Sequence, residues 1–174
     1  MFRKLQQRFR DMKTIKQLCE QAEQHARDSG QKEAGAEHLV LAALDLPDGT
    51  ASAAFARLGV NGRQYKEAIV QQAADALQGI GVQVDSSALP GTQPLAATAT
   101  GMLYQAQASA QSLMRALAAQ NKPADVALLG AHILLAACSA QYGVAIRAMR
   151  AMGVEPTRLA TAAQAEIQAA SMVA

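Results

Sequence analysis

The sequence predicts an all-α protein, and three observations lead to this prediction. The 174-residue chain contains 40 alanines but only three Phe, three Tyr and no Trp, and alanine favours helices whereas aromatic and β-branched residues favour strands. Apolar residues recur three or four positions apart, which is the period of one helix face. Hydrophobic residues make up 51% of the chain, which is enough for one core. We therefore predict a single helical domain over residues 1–174.

The first two helices are defined by apolar spacing and by the residues that end them. Apolar positions at helical spacing predict a helix from Phe2 to Ser29, and Gly30 ends it. The same spacing predicts a short helix within Gly35–Leu44, which is closed by the turn residues Pro47–Gly49.

Capping residues define the next two helices. Thr50 is expected to cap a helix over Ala51–Leu58. Asn61 caps a fourth helix, with Gln64 three residues on as in a capping box, and this helix runs to about Gln78.

The second half begins after a break in the helical pattern. Glycine, proline and small polar residues interrupt the pattern over residues 79–94, which we interpret as a linker. A long Ala- and Gln-rich helix follows over Leu95–Gln120. Two further helices are predicted over Asp125–Ser139 and Tyr142–Met152. Pro156 opens the last one, because proline suits the first helical position.

The two halves resemble each other in sequence. Residues 38–60 align without a gap with residues 132–154, at an offset of 94. We therefore predict two four-helix repeats, over residues 14–78 and 95–172, which pack about a pseudo-two-fold axis as an eight-helix bundle. Residues 1–13 form a basic amphipathic extension. The identical pairs include His38 with His132, Leu41 with Leu135, Ala42 with Ala136, Gly49 with Gly143, Gly59 with Gly153, and Val60 with Val154.

These residues also carry a family resemblance. Gly35–Leu44 reads GAEHLVLAAL, is followed by Leu58-Gly59-Val60, and has a weaker second copy, GAHILL, at Gly130–Leu135. This pattern resembles the Clp N-terminal (Clp repeat) domain at the head of Clp-type unfoldases. The resemblance implies an eight-helix domain that recognises protein or peptide substrates or adaptors and passes them to an ATP-driven unfoldase. The chain has no GxxxxGK[ST] phosphate loop, so it is expected to be a stand-alone receptor, adaptor or decoy unless it is a fragment of a longer protein.

Glu37 is the main candidate for a binding residue. In the branch of the family that binds phosphoarginine, an acidic residue of each repeat holds the guanidinium group, but the second copy here has Ala131 in place of Glu37. The resemblance therefore implies a single such site. The alternative is that Glu37 only complements the positive end of its helix. We predict peptide binding by Glu37, with Thr14 and Lys16 near the start of the first family-matching helix.

Catalytic and metal chemistry are not indicated. His38 and His132 occupy equivalent positions at the start of apolar helices, where a ring nitrogen can satisfy a backbone group, and no third ligand accompanies them at metal spacing. No GxSxG, HExxH or Ser-His-Asp arrangement occurs. We expect no metal, no cofactor and no enzymatic activity. The alternative from another class is a small helical hydrolase.

Charge and cysteine content narrow the partners and the compartment. The formal charge of +2 is too small for a dedicated nucleic-acid binder. Cys19 and Cys138 lie far apart, which favours reduced core residues and a cytoplasmic location, and no leader or membrane-spanning run is evident.

The basic, apolar N-terminal segment leaves three interpretations open. It packs on its own domain, docks in a partner's groove, or lies on an anionic membrane as a surface-associated helix. A protein partner is favoured over a membrane.

Overall fold

The structure is a computed structural model, and it describes residues 2–79, 107–120, 122–123 and 126–173. The described residues form helices and the loops between them, so the predicted all-α fold is confirmed. The helices are α1 (Phe2–Asp28), α2 (Ala36–Leu44), α3 (Thr50–Arg57), α4 (Gly62–Gly79), α5 (Ala108–Ala119), α6 (Gly130–Cys138), α7 (Val144–Ala151) and α8 (Pro156–Val173).

Local sequence signals place several helix ends correctly. The N–H of Asn61 donates to Gln64 Oε1 at 2.9 Å, and the N–H of Gln64 donates to Asn61 Oδ1 at 3.0 Å, which is the predicted capping box of α4. Pro156 is the first residue of α8, as predicted. The linker predicted over residues 79–94 and the first part of the helix predicted over Leu95–Gln120 lie outside the described residues, except that Gly79 ends α4.

The predicted cap of α3 was wrong. Thr50 is the first helical residue, and Gly49 occupies the N-cap position with a left-handed φ of 68°. The carboxylate of Asp48 accepts the Thr50 N–H at 3.0 Å, so the cap comes from two residues before the helix. Thr50 Oγ1 instead accepts the N–H of Ala131, in the first turn of α6.

The predicted starts of α6 and α7 were too early. α6 begins at Gly130, later than predicted, because Leu129 before it is extended, with φ −115° and ψ 158°. Asp11 Oδ1 accepts the N–H of Leu128 at 2.9 Å. α7 begins at Val144, because Gly143 has a φ of 123°, which cannot continue a helix.

The buried core repeats with the sequence. Residues at matching positions of the two copies are buried together, and they lie on α2 and α6 or on α3 and α7. The match extends beyond the aligned segment to Tyr65 of α4 and Leu159 of α8, which are both fully buried. This agreement supports two repeats related by pseudo-two-fold symmetry. The buried pairs are Leu39 with Ile133, Val40 with Leu134, Ala54 with Ala148, and Phe55 with Met149.

The last helix of each repeat packs across the boundary between the repeats. α2 and α6 pack against each other, and each repeat's opening helix packs on its own central helix: α1 on α2, and α5 on α6. α4 packs on α7 of the second repeat, and α8 packs both on α3 of the first repeat and on α6 of its own. Arg57 of α3 forms an ion pair with Glu166 of α8 across this contact. Neither repeat has a complete core without the other, so we expect them to fold as one unit.

Candidate functional site

The start of α6 is closed by residues of the first repeat. The Gly130 N–H lies 3.1 Å from Asp48 Oδ2 and 3.2 Å from Asp48 Oδ1, and the Ala131 N–H donates to Thr50 Oγ1 at 3.0 Å. The first N–H groups of a helix have no partner within the helix and carry its positive end. Asp48 therefore gives α6 an anionic cap from 82 residues away along the chain.

The start of α2 is closed in a different way. The Ala36 N–H donates to Ser109 Oγ of α5 at 3.2 Å. The Glu37 carboxylate accepts a hydrogen bond from its own backbone N–H. The positions that match Asp48 and Thr50 in the α6–α7 loop are Tyr142 and Val144, which offer no carboxylate. Tyr142 is 84% exposed. Glu37 thus supplies at α2 the negative charge that Asp48 supplies at α6.

His38 and His132 play the same structural part in the two repeats. His38 Nδ1 accepts the Gly35 N–H at 3.0 Å, and His132 Nδ1 accepts the Leu129 N–H at 3.1 Å. Each ring accepts a hydrogen bond from the backbone N–H three residues earlier, as predicted from the sequence. His38 Nε2 then donates to Ser29 Oγ at 3.0 Å, because Nδ1 is already an acceptor.

Both histidines are held in the neutral form. Burial and, to a smaller extent, the electrostatic interaction with His25 lower the pKa of His38 to about 4. Burial also lowers the pKa of His132. Neither ring therefore carries a positive charge at neutral pH.

The Glu37 carboxylate is buried without a charged partner. The residue is 2% exposed, and burial raises its pKa, although its own N–H and the positive charge of Arg147 act in the opposite direction. Among the described residues, the basic side chain within 4 Å of the carboxylate is His38, whose Nδ1 lies 3.6 Å from Glu37 Oε1. That ring is neutral, so no cation of the described residues lies within 4 Å of the carboxylate.

Gly35 makes room for this arrangement. A Cβ on Gly35 would lie 2.5 Å from Glu37 Oε1 and 2.6 Å from Oε2, which is closer than atoms can approach. The backbone φ of Gly35 is −97°, which any residue can adopt. The absent side chain, and not backbone freedom, is therefore what lets the carboxylate fold back over the start of α2.

Thr14 and Lys16 lie on α1, apart from Glu37. Thr14 Oγ1 donates to the carbonyl of Arg10 at 3.2 Å, within its own helix. Lys16 is exposed and forms a 3.7 Å ion pair with Glu20, one turn further on. Neither side chain has a hydrogen bond or ion pair with Glu37 in the described part of the chain.

Sequence reasoning missed three residues that shape these helix ends. Asp48, Thr50 and Ser109 contact them from distant parts of the chain. The repeat alignment contained one usable signal, because Asp48 and Thr50 are matched by Tyr142 and Val144. A polar pair in one copy that becomes apolar or aromatic in the other indicates an asymmetric function for that loop.

The described residues contain neither a candidate metal site nor a membrane-spanning helix. No group of three or more His, Cys, Asp or Glu side chains is placed to hold a metal ion in the described ranges. No helix there is both long enough and apolar enough to cross a membrane.

Comparison with known families identifies the chain. The model of the Clp repeat (R) N-terminal domain matches residues 13–117, which is more than half of the sequence. The chain belongs to this family. The matched span begins within α1 and ends within α5, so it contains the α2 end with Glu37 and ends before α6. No curated protein matches the chain.

Family membership agrees with the helical repeat architecture. The Clp repeat N-terminal domain is a helical repeat fold, and the part of the second repeat beyond the matched span, α6–α8, keeps the buried pattern of the first repeat. The resemblance stated from the sequence is therefore confirmed.

Proposed function

We propose that this Clp repeat N-terminal domain is a protein-binding module that takes a cationic side chain of a bound protein segment at the start of α2. Domains of this family mediate protein interactions. The segment would belong to a substrate or adaptor of a Clp-type unfoldase, and the chain would act by binding and not by catalysis. A cytoplasmic location stays a prediction from the sequence.

The uncompensated carboxylate of Glu37 is the observation that carries this proposal. A buried carboxylate is costly unless a cation or several hydrogen bonds balance it. The described residues give Glu37 its own N–H and a neutral histidine. A guanidinium or ammonium group of a bound segment would supply the missing charge, and a guanidinium can do so through two parallel hydrogen bonds.

The two helix starts are not equivalent as sites. At α6, ligand entry would require Asp48 and Thr50 to leave N–H groups of the second repeat. At α2, the Glu37 carboxylate accepts its own N–H and, within the described part of the chain, caps no other helix, so it can turn outward without uncapping one. We therefore propose one site for each chain, in place of the pair that two intact repeats would provide.

Thr14 and Lys16 stay proposed contacts for the flanking part of the segment. α1 packs on α2, so a segment that reaches Glu37 can extend along α1. Lys16 is exposed and loosely paired with Glu20, so its ammonium group is free to exchange partners with an acidic group of the segment.

The test is a binding measurement with a matched pair of charge-removing variants. Fluorescence anisotropy would follow a labelled arginine-containing peptide and the same peptide with glutamine in place of arginine. Glu37→Gln keeps the shape and the acceptor oxygen but removes the charge, and we expect it to weaken binding of the arginine peptide by about tenfold or more. Glu67→Gln, an exposed position on α4, is the control and should change binding by less than about twofold.

Two results would contradict the proposal. One is equal binding of the arginine and glutamine peptides by the wild-type chain. The other is an equal loss of affinity in Glu37→Gln and Glu67→Gln, which would mean that general surface charge and not the α2 site attracts the peptide.

A further inference from the structure

Two apolar side chains of α1, Phe9 and Met12, face the solvent. Phe9 and Met12 are each 65% exposed, although they lie at the spacing of one helix face. Lys16 lies one turn beyond Met12 on the same face and is also exposed. A helix that packs on its own domain normally buries such a stripe. Of the three interpretations of the N-terminal segment, packing of its apolar face on its own domain does not hold for Phe9 and Met12.

The opposite face of α1 carries polar side chains and lies against the rest of the domain. Gln7 is 9% exposed and donates from Nε2 to Asp11 Oδ1 at 2.8 Å. Asp11 also accepts the Leu128 N–H at 2.9 Å and forms a 2.8 Å ion pair with Lys122. Because Asp11 is held by the segment before α6 and Gln7 is buried beside it, this side of α1 faces the domain and the apolar stripe points outward.

Basic residues border this stripe. At 100° per residue, Arg8 and Lys13 lie on its two sides, and Lys16 lies at its C-terminal end. Among the described residues, neither Arg8 nor Lys13 forms an ion pair, whereas Lys16 pairs with Glu20 at 3.7 Å. Asp11 is turned inward and neutralised by Lys122. We call the surface formed by Arg8, Phe9, Met12, Lys13 and Lys16 the N-terminal ridge.

The charge of the ridge selects its partner. A second copy packed on it face to face would bring Arg8, Lys13 and Lys16 against their own counterparts, and like charges oppose such a contact. A convex helix face with apolar side chains between two basic borders is the pattern of a helix that lies in the plane of an anionic membrane surface. The basic side chains there remain at the level of the lipid headgroups while the apolar ones enter the acyl boundary.

We propose that the N-terminal ridge binds the surface of an anionic lipid bilayer. Phe9 and Met12 insert below the headgroups, and Arg8, Lys13 and Lys16 contact the lipid phosphates. The contact is peripheral, since no helix in the described ranges is able to cross a membrane. This surface does not include Glu37 and shares only Lys16 with the proposed peptide contacts, so membrane binding through Arg8, Phe9, Met12 and Lys13 does not depend on the proposed peptide site.

Vesicle sedimentation of the full chain tests this proposal. Wild-type protein is expected to sediment with vesicles of phosphatidylcholine that contain about 30% phosphatidylglycerol, to stay in solution with pure phosphatidylcholine, and to be released by high salt. Lys13→Gln and Arg8→Gln should each weaken binding about fivefold, which corresponds to ~1 kcal/mol for each charge near the surface. Phe9→Ser with Met12→Ser should weaken it by about tenfold or more.

Met172→Ser is the matched control. Met172 is 87% exposed on α8, so this variant removes an apolar side chain of similar exposure from a different part of the surface. It should bind vesicles as the wild type does, and circular dichroism should show that every variant is folded. The proposal is overturned if the wild-type chain does not sediment with anionic vesicles. An acidic protein surface would then be the remaining partner. The proposal is also overturned by equal binding to neutral vesicles, or by an equal loss in Met172→Ser and the ridge variants.

Discussion

The carboxylate of Asp48 caps α6 through the N–H of Gly130, with Oδ2 at 3.1 Å and Oδ1 at 3.2 Å. The same carboxylate accepts the N–H of Thr50 at the start of α3. One side chain therefore begins a helix in each repeat and fixes the distance between them.

Replacing Asp48 should destabilise the whole domain. Asp48→Ala leaves the N–H groups of Gly130 and Thr50 without their acceptor, and we expect a loss of about 2–3 kcal/mol in the free energy of unfolding. Urea denaturation would show this as a lower midpoint with an unchanged slope. Asp48→Asn keeps one acceptor oxygen and should lose less. A loss below about 0.5 kcal/mol for Asp48→Ala would show that water replaces the carboxylate at both helix ends.

His38 should make the stability depend on pH. Its pKa falls from 6.5 to about 4 on folding, so below pH 6.5 the unfolded chain takes up a proton that the folded chain refuses. Its contribution to stability is complete above pH 6.5 and is lost as the pH falls toward 4, by up to about 3 kcal/mol.

The matched variant for this measurement is His38→Asn, which offers an acceptor near the position of Nδ1 but does not titrate. Because Glu37 has a raised pKa and gains stability as the pH falls, the contribution of His38 is the difference between the two unfolding curves. That difference should shrink between pH 6.5 and 4. Parallel curves over this interval would contradict a neutral, buried His38.

Gly35 and Glu37 should be energetically coupled. Gly35→Ala places a methyl group against the Glu37 carboxylate and should cost about 1 kcal/mol. In a Glu37→Ala background the obstacle is gone, so the same substitution should cost little. Chemical denaturation of the four proteins of this cycle gives the coupling energy. Additive effects of the two substitutions would show that the carboxylate does not fold back over Gly35.

Replacing Tyr65 with phenylalanine should stabilise the domain. The Tyr65 ring packs edge-on against Phe55 with centroids 5.8 Å apart, but its hydroxyl is fully buried and has no hydrogen-bond partner among the residues that the structure describes. Tyr65→Phe keeps the ring contact and removes the unsatisfied hydroxyl, so the melting temperature should rise by an amount equivalent to about 1 kcal/mol. A fall in the melting temperature would indicate that the hydroxyl has a partner, such as a buried water.

Local signals were sufficient where both partners lie within a few residues. The capping box of Asn61 and Gln64, the start of α8 at Pro156, and the bonds of His38 and His132 to the N–H three residues earlier all follow from short-range geometry. The repeat also gave the eight-helix architecture, because equivalent positions must be buried in the same way when two copies share one core.

Long-range contacts explain what the sequence did not show. The bond from Asp48 to Gly130 joins residues 82 positions apart, and no local pattern contains it. The outward direction of Phe9 was equally hidden, because periodicity identifies an apolar face but not what that face meets. Glu37 was correctly placed in the first turn of α2, but its burial depends on Gly35 and on the packing of α5 and α7 around that turn.

The most direct test of the account is an NMR titration of the ¹⁵N-labelled chain with the arginine-containing peptide. We predict that the amide signals of Gly35, Ala36 and Glu37 shift as the peptide binds. The signals of Gly130 and Ala131, whose N–H groups are bonded to Asp48 and Thr50, should stay in place. Comparable shifts at both helix starts would contradict a single site, and no shift at either would contradict binding at the α2 end.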